Sequence, residues 1–144
     1  MPKEQLKLSD FPLQTRIPVQ WNDMDAAAHV NNLVYLRWCE TARVEYFEKM
    51  KMNISFRGAG TGPILSYQDG KYIFPMTYPD VAIIGTRTLE VLKDRFVLQA
   101  GVFSEKHKRI AAISTQVIVP YDYELLRKVD LPAEWVEAIE RIES

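Results

Sequence analysis

The sequence predicts an α+β domain in which one long helix packs against one curved antiparallel sheet. Three observations predict it. A segment of strict apolar–polar alternation opens the chain, a single long helical stretch with an unusually wide apolar face follows, and strand-like stretches joined by short turns fill most of the rest. Parallel strands need long crossovers, so short connections imply antiparallel hairpins, and helix-then-strands order implies a helix laid on one sheet.

The first ten residues are polar and are expected to be loose. From Leu13 to Trp21 the chain alternates, with Leu13, Thr15, Ile17, Val19 and Trp21 on one side and Gln14, Arg16, Pro18 and Gln20 on the other. This period of two predicts a half-buried strand, and Pro18 places it at an edge or a bulge. After a turn-like stretch at Asn22–His29, residues Asn31–Met50 read as one helix, with Asn31 or Asn32 as its N-cap. Leu33, Tyr35, Leu36, Cys39, Ala42, Tyr46, Phe47 and Met50 form the apolar face, against a narrow strip of Arg37, Thr41, Glu45, Glu48 and Lys49. So broad a face predicts a helix enclosed by the sheet.

Residues 53–62, with Gly58, Gly60 and Gly62, read as loop. Strands are expected over 63–74, 80–93, 94–104 and 109–119, separated by turn residues at Asp69-Gly70, Tyr78-Pro79-Asp80, Lys93-Asp94 and Glu105–Lys108. A short helix is expected after Asp130, with Pro132 in its first turn and Trp135, Ile139 and Ile142 on one face. Nothing divides the sequence, so residues 1–144 are expected to form one domain.

Composition narrows the function. The apolar fraction of 47% and charged fraction of 26% are those of a globular chain. Eighteen Lys+Arg against nineteen Asp+Glu leave a net charge of −1, which offers no global field for nucleic acid or an anionic membrane. No apolar run is long enough for a signal peptide or a membrane span, and Cys39 is the single cysteine, so a cytoplasmic protein without disulfides is expected. There is no phosphate-binding loop, dinucleotide fingerprint, Gly-x-Ser-x-Gly elbow or zinc-type spacing. His29 and His107 are the only histidines, so neither a metal site nor a cofactor is expected.

Chemistry concentrates in Trp21–Tyr35, where two carboxylates, an imidazole and two amides stand at the hand-over from strand to helix. A helix N-terminus presents unpaired N–H groups and partial positive charge, suited to a carbonyl oxygen that becomes an oxyanion. A carboxylate just before it can attack that carbonyl or deprotonate water. A thioester needs no more, because its thiolate leaves readily. Asp and Asn before a helix are equally ordinary turn and capping residues, and spacing alone does not separate the readings.

A resemblance does. Residues Trp21–Arg43 closely resemble hotdog-fold thioesterases of the 4-hydroxybenzoyl-CoA thioesterase type, particularly the branch containing bacterial long-chain acyl-CoA thioesterases. The matching pattern, D-x-D-x-x-G-H-V-N-N-x-x-Y followed by Glu-x-Ala-Arg, falls on Asp23, Asp25, His29, Val30, Asn31, Asn32, Tyr35, Glu40, Ala42 and Arg43. Weaker likeness runs through Pro75, Tyr78-Pro79-Asp80, Gly85-Thr86-Arg87 and Asp94-Arg95-Phe96. The resemblance implies a hotdog fold, one long central helix wrapped by a curved antiparallel sheet with a short C-terminal helix, and hydrolysis of an acyl-CoA or acyl-carrier-protein thioester. It implies Asp25 as the catalytic carboxylate and the backbone N–H near Asn32 as the carbonyl donor. The pattern has Gly where this chain has Ala28, and Ala takes a positive φ only at a cost.

Around that core, His29 either polarises the thioester or fixes the loop, and Asp23 reads as a turn or capping residue. Asn31 and Tyr35 are expected near the substrate, and Glu40 and Arg43 to pair along the helix. Val34, Trp38 and the glycine-rich loop are expected as pocket wall or core, and Cys39 lacks a neighbouring base. Lys106, Lys108 and Arg109 form the densest cationic cluster, at a hairpin tip, where they either stay solvated or grip CoA phosphates, with Ser104 adding a hydroxyl. The family pairs sheet edges, which implies a homodimer or homotetramer with both chains lining each pocket. Two rivals are a non-catalytic acyl-CoA sensor and a hotdog enoyl-CoA hydratase or dehydratase, the latter disfavoured by the missing Asn-Pro of its D-x-N-P-x-H pattern.

Overall fold

The computed structural model describes residues 6–52 and 60–144. In chain order the elements are β1 (Leu13–Pro18), α1 (Asn32–Lys49), β2 (Thr61–Gln68), β3 (Lys71–Tyr72), β4 (Val81–Val91), β5 (Phe96–Ser104), β6 (Arg109–Asp122), β7 (Arg127–Lys128) and α2 (Ala133–Glu143). The strands make one antiparallel sheet in the order β1-β4-β5-β6-β2, with β3 and β7 also paired to β6. Curled around α1, this is the hotdog arrangement the sequence predicts. No described helix is long and apolar enough to cross a membrane.

β1 lies at a sheet edge, where Pro18 costs no interior ladder bond, and its inward Leu13, Thr15 and Ile17 are half-buried as the alternation requires. The strand ends before Trp21. A 3-10 turn at Trp21–Asp23 breaks the alternation, and Trp21 is exposed rather than inward. The stretch read as one strand over 63–74 divides at Asp69-Gly70. Asp69 Oδ1 accepts the Thr115 N–H at 2.8 Å and the Asp69 N–H donates to the Thr115 carbonyl, so a side chain replaces a ladder acceptor and the chain turns. Of the expected loop at 53–62, residues 53–59 lie outside the described residues, and Thr61 and Gly62 already belong to β2.

Two apolar clusters run along α1. Toward its N-terminus Tyr35, Trp38, Cys39 and Ala42 meet Met76, Ile84 and Val102 over a floor of small residues, Ala82, Ala100, Ala111 and Ala112. Toward its C-terminus Tyr46, Phe47 and Met50 meet Phe96, Leu98 and Ile118, with Trp135 and Ile139 of α2 closing the end. The Tyr46 hydroxyl bonds Thr88 Oγ1 at 2.7 Å and donates to Glu143 Oε2 at 2.8 Å, tying α2 to the central helix, and burial raises its pKa. Leu33, expected on the buried face, is exposed, because it falls on the outer strip of α1 with Arg37, Thr41, Val44 and Glu48 rather than on the face that holds Tyr35. Arg43 pairs with Glu40 at 3.7 Å and is also buried, donating to Gln116 Oε1 at 3.1 Å. That burial pulls its pKa down while Glu40 pulls it up.

The N-terminal segment, expected to be loose, is packed where it is described. A 3-10 turn at Leu8–Asp10 leads to Phe11, which lies on the sheet face away from α1, over Gly85 and its register partner Gly101. A Cβ at Gly85 would stand 2.5 Å from Phe11 Cγ, so the glycine makes the slot. Gly85→Ala is expected to destabilise the fold by roughly 1–3 kcal/mol through overpacking, read as a lowered thermal midpoint.

Candidate active site

The segment before α1 is a small closed loop pinned at both ends. Met24 and Val30 bridge, the Asp25 N–H donates to the His29 carbonyl at 3.0 Å, and the Ala28 N–H to the Asp25 carbonyl at 2.9 Å. Asp23 holds the first end. Buried, it accepts the Gln20 N–H at 2.7 Å and Arg37 Nη2 at 3.1 Å, while its carbonyl accepts the Asn31 N–H. Val30 holds the other end, buried and donating to the Met76 carbonyl at 2.9 Å. Asp23 is thus the turn and anchoring residue, leaving Asp25 as the carboxylate not enclosed by the fold.

Asp25 and His29 are exposed on this chain. The Ala27 N–H donates to Asp25 Oδ1 at 2.9 Å, which fixes the carboxylate through its own turn and leaves Oδ2 without a partner among the described residues. Ala28 has φ 61, so the loop keeps its left-handed residue without the glycine of the family pattern. Ala28→Gly is therefore expected to stabilise the protein by about 0.5–1 kcal/mol, the strain relieved exceeding the entropy lost. The check is a thermal midpoint higher by a few degrees.

At the start of α1, Asn31 is the N-cap. Its Oδ1 accepts the Leu33 N–H at 2.9 Å and its carbonyl accepts the Val34 N–H. The Asn32 N–H takes no partner among the described residues, as an orphan donor of the first helical turn. The Asn32 carbonyl accepts the Tyr72 hydroxyl at 3.1 Å. Between His29, Asn32 and Tyr35 on one side and Tyr72, Phe74 and Pro75 on the other lies a cavity of 270 Å³. The Tyr35 hydroxyl closes its inner end, accepting the Met76 N–H at 2.9 Å, and burial raises that phenol's pKa. Asp25 does not line the cavity; it lies on the loop whose last turn does.

The basic turn reaches the same cavity by an indirect route. Arg109 stacks its guanidinium 4.4 Å from the centroid of Phe74, and His107 meets the same ring at 5.0 Å. Lys106 and Lys108 are exposed beside them. Ser104 is placed differently from the expected ligand contact. It is buried, its hydroxyl donates to Asp80 Oδ2 at 2.5 Å and accepts the His107 N–H at 3.0 Å, so it is a strut of the turn. Asp80 Oδ1 also accepts the Lys106 N–H at 2.9 Å and the Val81 N–H at 2.7 Å. Sequence reasoning placed His107 within the basic turn but missed Tyr72, Phe74 and Asp80. Only Asp80 carried a signal, as a turn residue after Pro79.

Val34 and Trp38 belong to the core cluster beneath the cavity, and the glycine-rich loop lies largely outside the described residues. Burial pushes the Cys39 thiol up to about 12, so it is a shielded thiol at neutral pH. Among the described residues no three His, Cys, Asp or Glu side chains stand together as a metal site.

Comparison with known proteins agrees with this fold. The profile of the thioesterase-like superfamily matches residues 19–139. No curated protein sequence matches the chain. Among solved structures, a Thermus thermophilus thioesterase complexed with coenzyme A and Zn is 27% identical, with 93% of this chain and 96% of that one covered and a TM-score of 0.79. The PA5185 protein from Pseudomonas aeruginosa is 22% identical, with 94% of each chain covered and a TM-score of 0.82. The 1,4-dihydroxy-2-naphthoyl-CoA thioesterase from Synechocystis is 16% identical, with 91% and 97% covered and a TM-score of 0.81; these last two likenesses are of fold. With the family profile spanning most of its length, the chain belongs to the thioesterase-like superfamily and is a hotdog-fold thioester hydrolase.

Proposed function

We propose that the chain is an acyl-CoA thioesterase in which Asp25 is the catalytic carboxylate and the Asn32 N–H polarises the thioester carbonyl. One observation carries the reading. The orphan N–H at the start of α1 opens on a cavity flanked by a loop whose unenclosed carboxylate is Asp25. As the carbonyl oxygen gains negative charge, that N–H and the helix dipole stabilise it. Asp25 either takes a proton from the attacking water, or adds to the carbonyl as thiolate leaves, giving a mixed anhydride that water then opens. Either route ends in a free carboxylic acid and CoA. His29, at the cavity wall, orients the thioester or the loop.

The coenzyme A complex of the Thermus thioesterase supports a CoA ester as substrate. The Lys106–Arg109 turn fits its phosphates, because a guanidinium held over the Phe74 ring still has N–H groups to offer an anion. Replacing Lys106, Lys108 and Arg109 by Ala is expected to raise KM severalfold and to lower kcat less. An unchanged KM for CoA esters removes the turn from the site.

Asp25 is exposed on one chain, and among the described residues β2 has an unpaired edge; beside the cavity Leu33, Tyr72 and Ile73 leave apolar surface open to solvent. Pairing with a second copy across that edge would cover this surface and enclose the carboxylate, so a homodimer or a dimer of dimers completes the proposal. Cytoplasmic residence is part of the same reading, supported by the lone cysteine. The deciding experiment is free-thiol release from a panel of aliphatic and aromatic acyl-CoAs, run beside binding. Thiol release establishes the activity, whereas binding without release makes the chain a sensor.

A further inference from the structure

A second and larger cavity, of 440 Å³, lies on the sheet face turned away from α1. Its floor is Ile83, Phe103 and Ile110, covered by Leu8 of the N-terminal segment. Ile83 and Phe103 are register partners, and they alternate with Ala82, Ile84 and Val102, which face the core around α1. The two cavities therefore lie on opposite sides of the sheet. The outer one falls within the size range that holds small ligands, roughly 300–1,000 Å³.

Its rim is cationic. Lys7, Lys108 and Arg109 line it, and Glu105 is the one carboxylate residue among the described lining residues. Glu105 is already engaged in an ion pair with Arg16, and nearby Asp10 turns its carboxylate to the Lys7 backbone N–H at 2.8 Å. The balance left for a ligand is apolar beneath and positive at the edge. We propose that this outer cavity binds a free carboxylic acid, its apolar body on Ile83, Phe103 and Ile110 and its carboxylate among Lys7, Lys108 and Arg109. The choice of carboxylate over other anions rests on the reading of the chain as an acyl thioesterase, since that is the product class; the cavity and its charge do not. Arg109 touches both regions, lining the outer cavity and stacking on Phe74, so an occupant here bears on the wall of the thioester cavity.

The test uses the full chain with labelled isoleucine methyls, titrated with octanoate and, separately, with octan-1-ol. Ile83 and Ile110 report the outer cavity, and Ile73 reports the thioester cavity. The expected result is a saturable shift of Ile83 and Ile110 with octanoate, at about tenfold higher affinity than with octan-1-ol. Lys7→Glu, an exposed position outside the catalytic machinery, should weaken octanoate about fivefold and leave octan-1-ol unchanged. Shifts confined to Ile73, equal affinity for acid and alcohol, or silence at Ile83 and Ile110 would each overturn the proposal. Thiol release measured on the same sample separates the two claims. Silent outer methyls with active hydrolysis sink the outer site alone; shifting outer methyls with no hydrolysis of any ester uphold the site and sink the thioesterase reading.

Discussion

Asp25→Asn is expected to lower kcat for thioester hydrolysis by about two or more orders of magnitude while leaving the thermal midpoint nearly unchanged. The asymmetry follows from what the side chain does in the fold. Its one described hydrogen bond is to the Ala27 N–H through Oδ1, and an amide oxygen accepts that bond equally well. What Asn cannot do is take a proton from water or add to a carbonyl. Thiol release at saturating substrate, with circular dichroism and a melting curve on the same sample, checks it. Near-wild-type turnover in a folded variant would remove Asp25 from the chemistry. Single turnover of the wild-type chain in ¹⁸O-water then tests direct attack, because label in the Asp25 carboxylate arises only when water opens an anhydride at Asp25.

The second large effect is expected at Asp80, away from the reacting atoms. Its carboxylate accepts from the buried Ser104 hydroxyl and from the Lys106 and Val81 N–H groups, so it closes the start of β4 onto the β5–β6 turn. Asp80→Ala orphans a buried hydroxyl and a half-buried N–H, for a loss of about 2–4 kcal/mol. At this chain length that lowers the thermal midpoint by roughly 5–15 °C. The same change loosens the turn that sets Arg109 and His107 against Phe74, so KM for CoA esters should rise in the protein that remains folded. Asp80→Asn keeps an acceptor oxygen and should fall between. A melting curve indistinguishable from wild type for Asp80→Ala would show that the clamp does not hold the turn.

Local signals carried most of the fold. Asn31 caps α1 because its side chain reaches the Leu33 N–H two residues on, an interaction complete within one turn of chain. The alternation of Leu13–Pro18 is likewise written in neighbours, whereas the turn at Asp69-Gly70, though marked by its residue types, is held by Thr115 on β6. The departures came where a distant partner decided. Arg43 is buried because Gln116, on β6, offers its side-chain oxygen. Periodicity along α1 does not contain that fact, although it does set Leu33 on the outer strip with Arg37, Thr41 and Val44. The site divides the same way. Residues 23–35 were legible because loop, cap and helix start are contiguous, and the motif they form is long. Tyr72 and Phe74 were read as strand, and only the register of β3 on β6 brings them over the helix end. The place of Ser104 as a strut is not written in its neighbours, because its acceptor, Asp80, stands across the β4–β5 pair at the far end of the hairpin.

The opposed walls of the small cavity come from separate stretches of chain. One wall is built by residues 29–35, locked to buried Asp23 and to the core, whereas the facing wall is Tyr72, at the end of β3, and the connector 73–75 that follows it. A change of size at Phe74 therefore redraws what fits without touching Asp25 or Asn32, whereas Tyr72 also bonds the Asn32 carbonyl. Such a molecule can trade one acyl preference for another by drift in a few connector residues, keeping its hydrolytic apparatus whole while its diet changes.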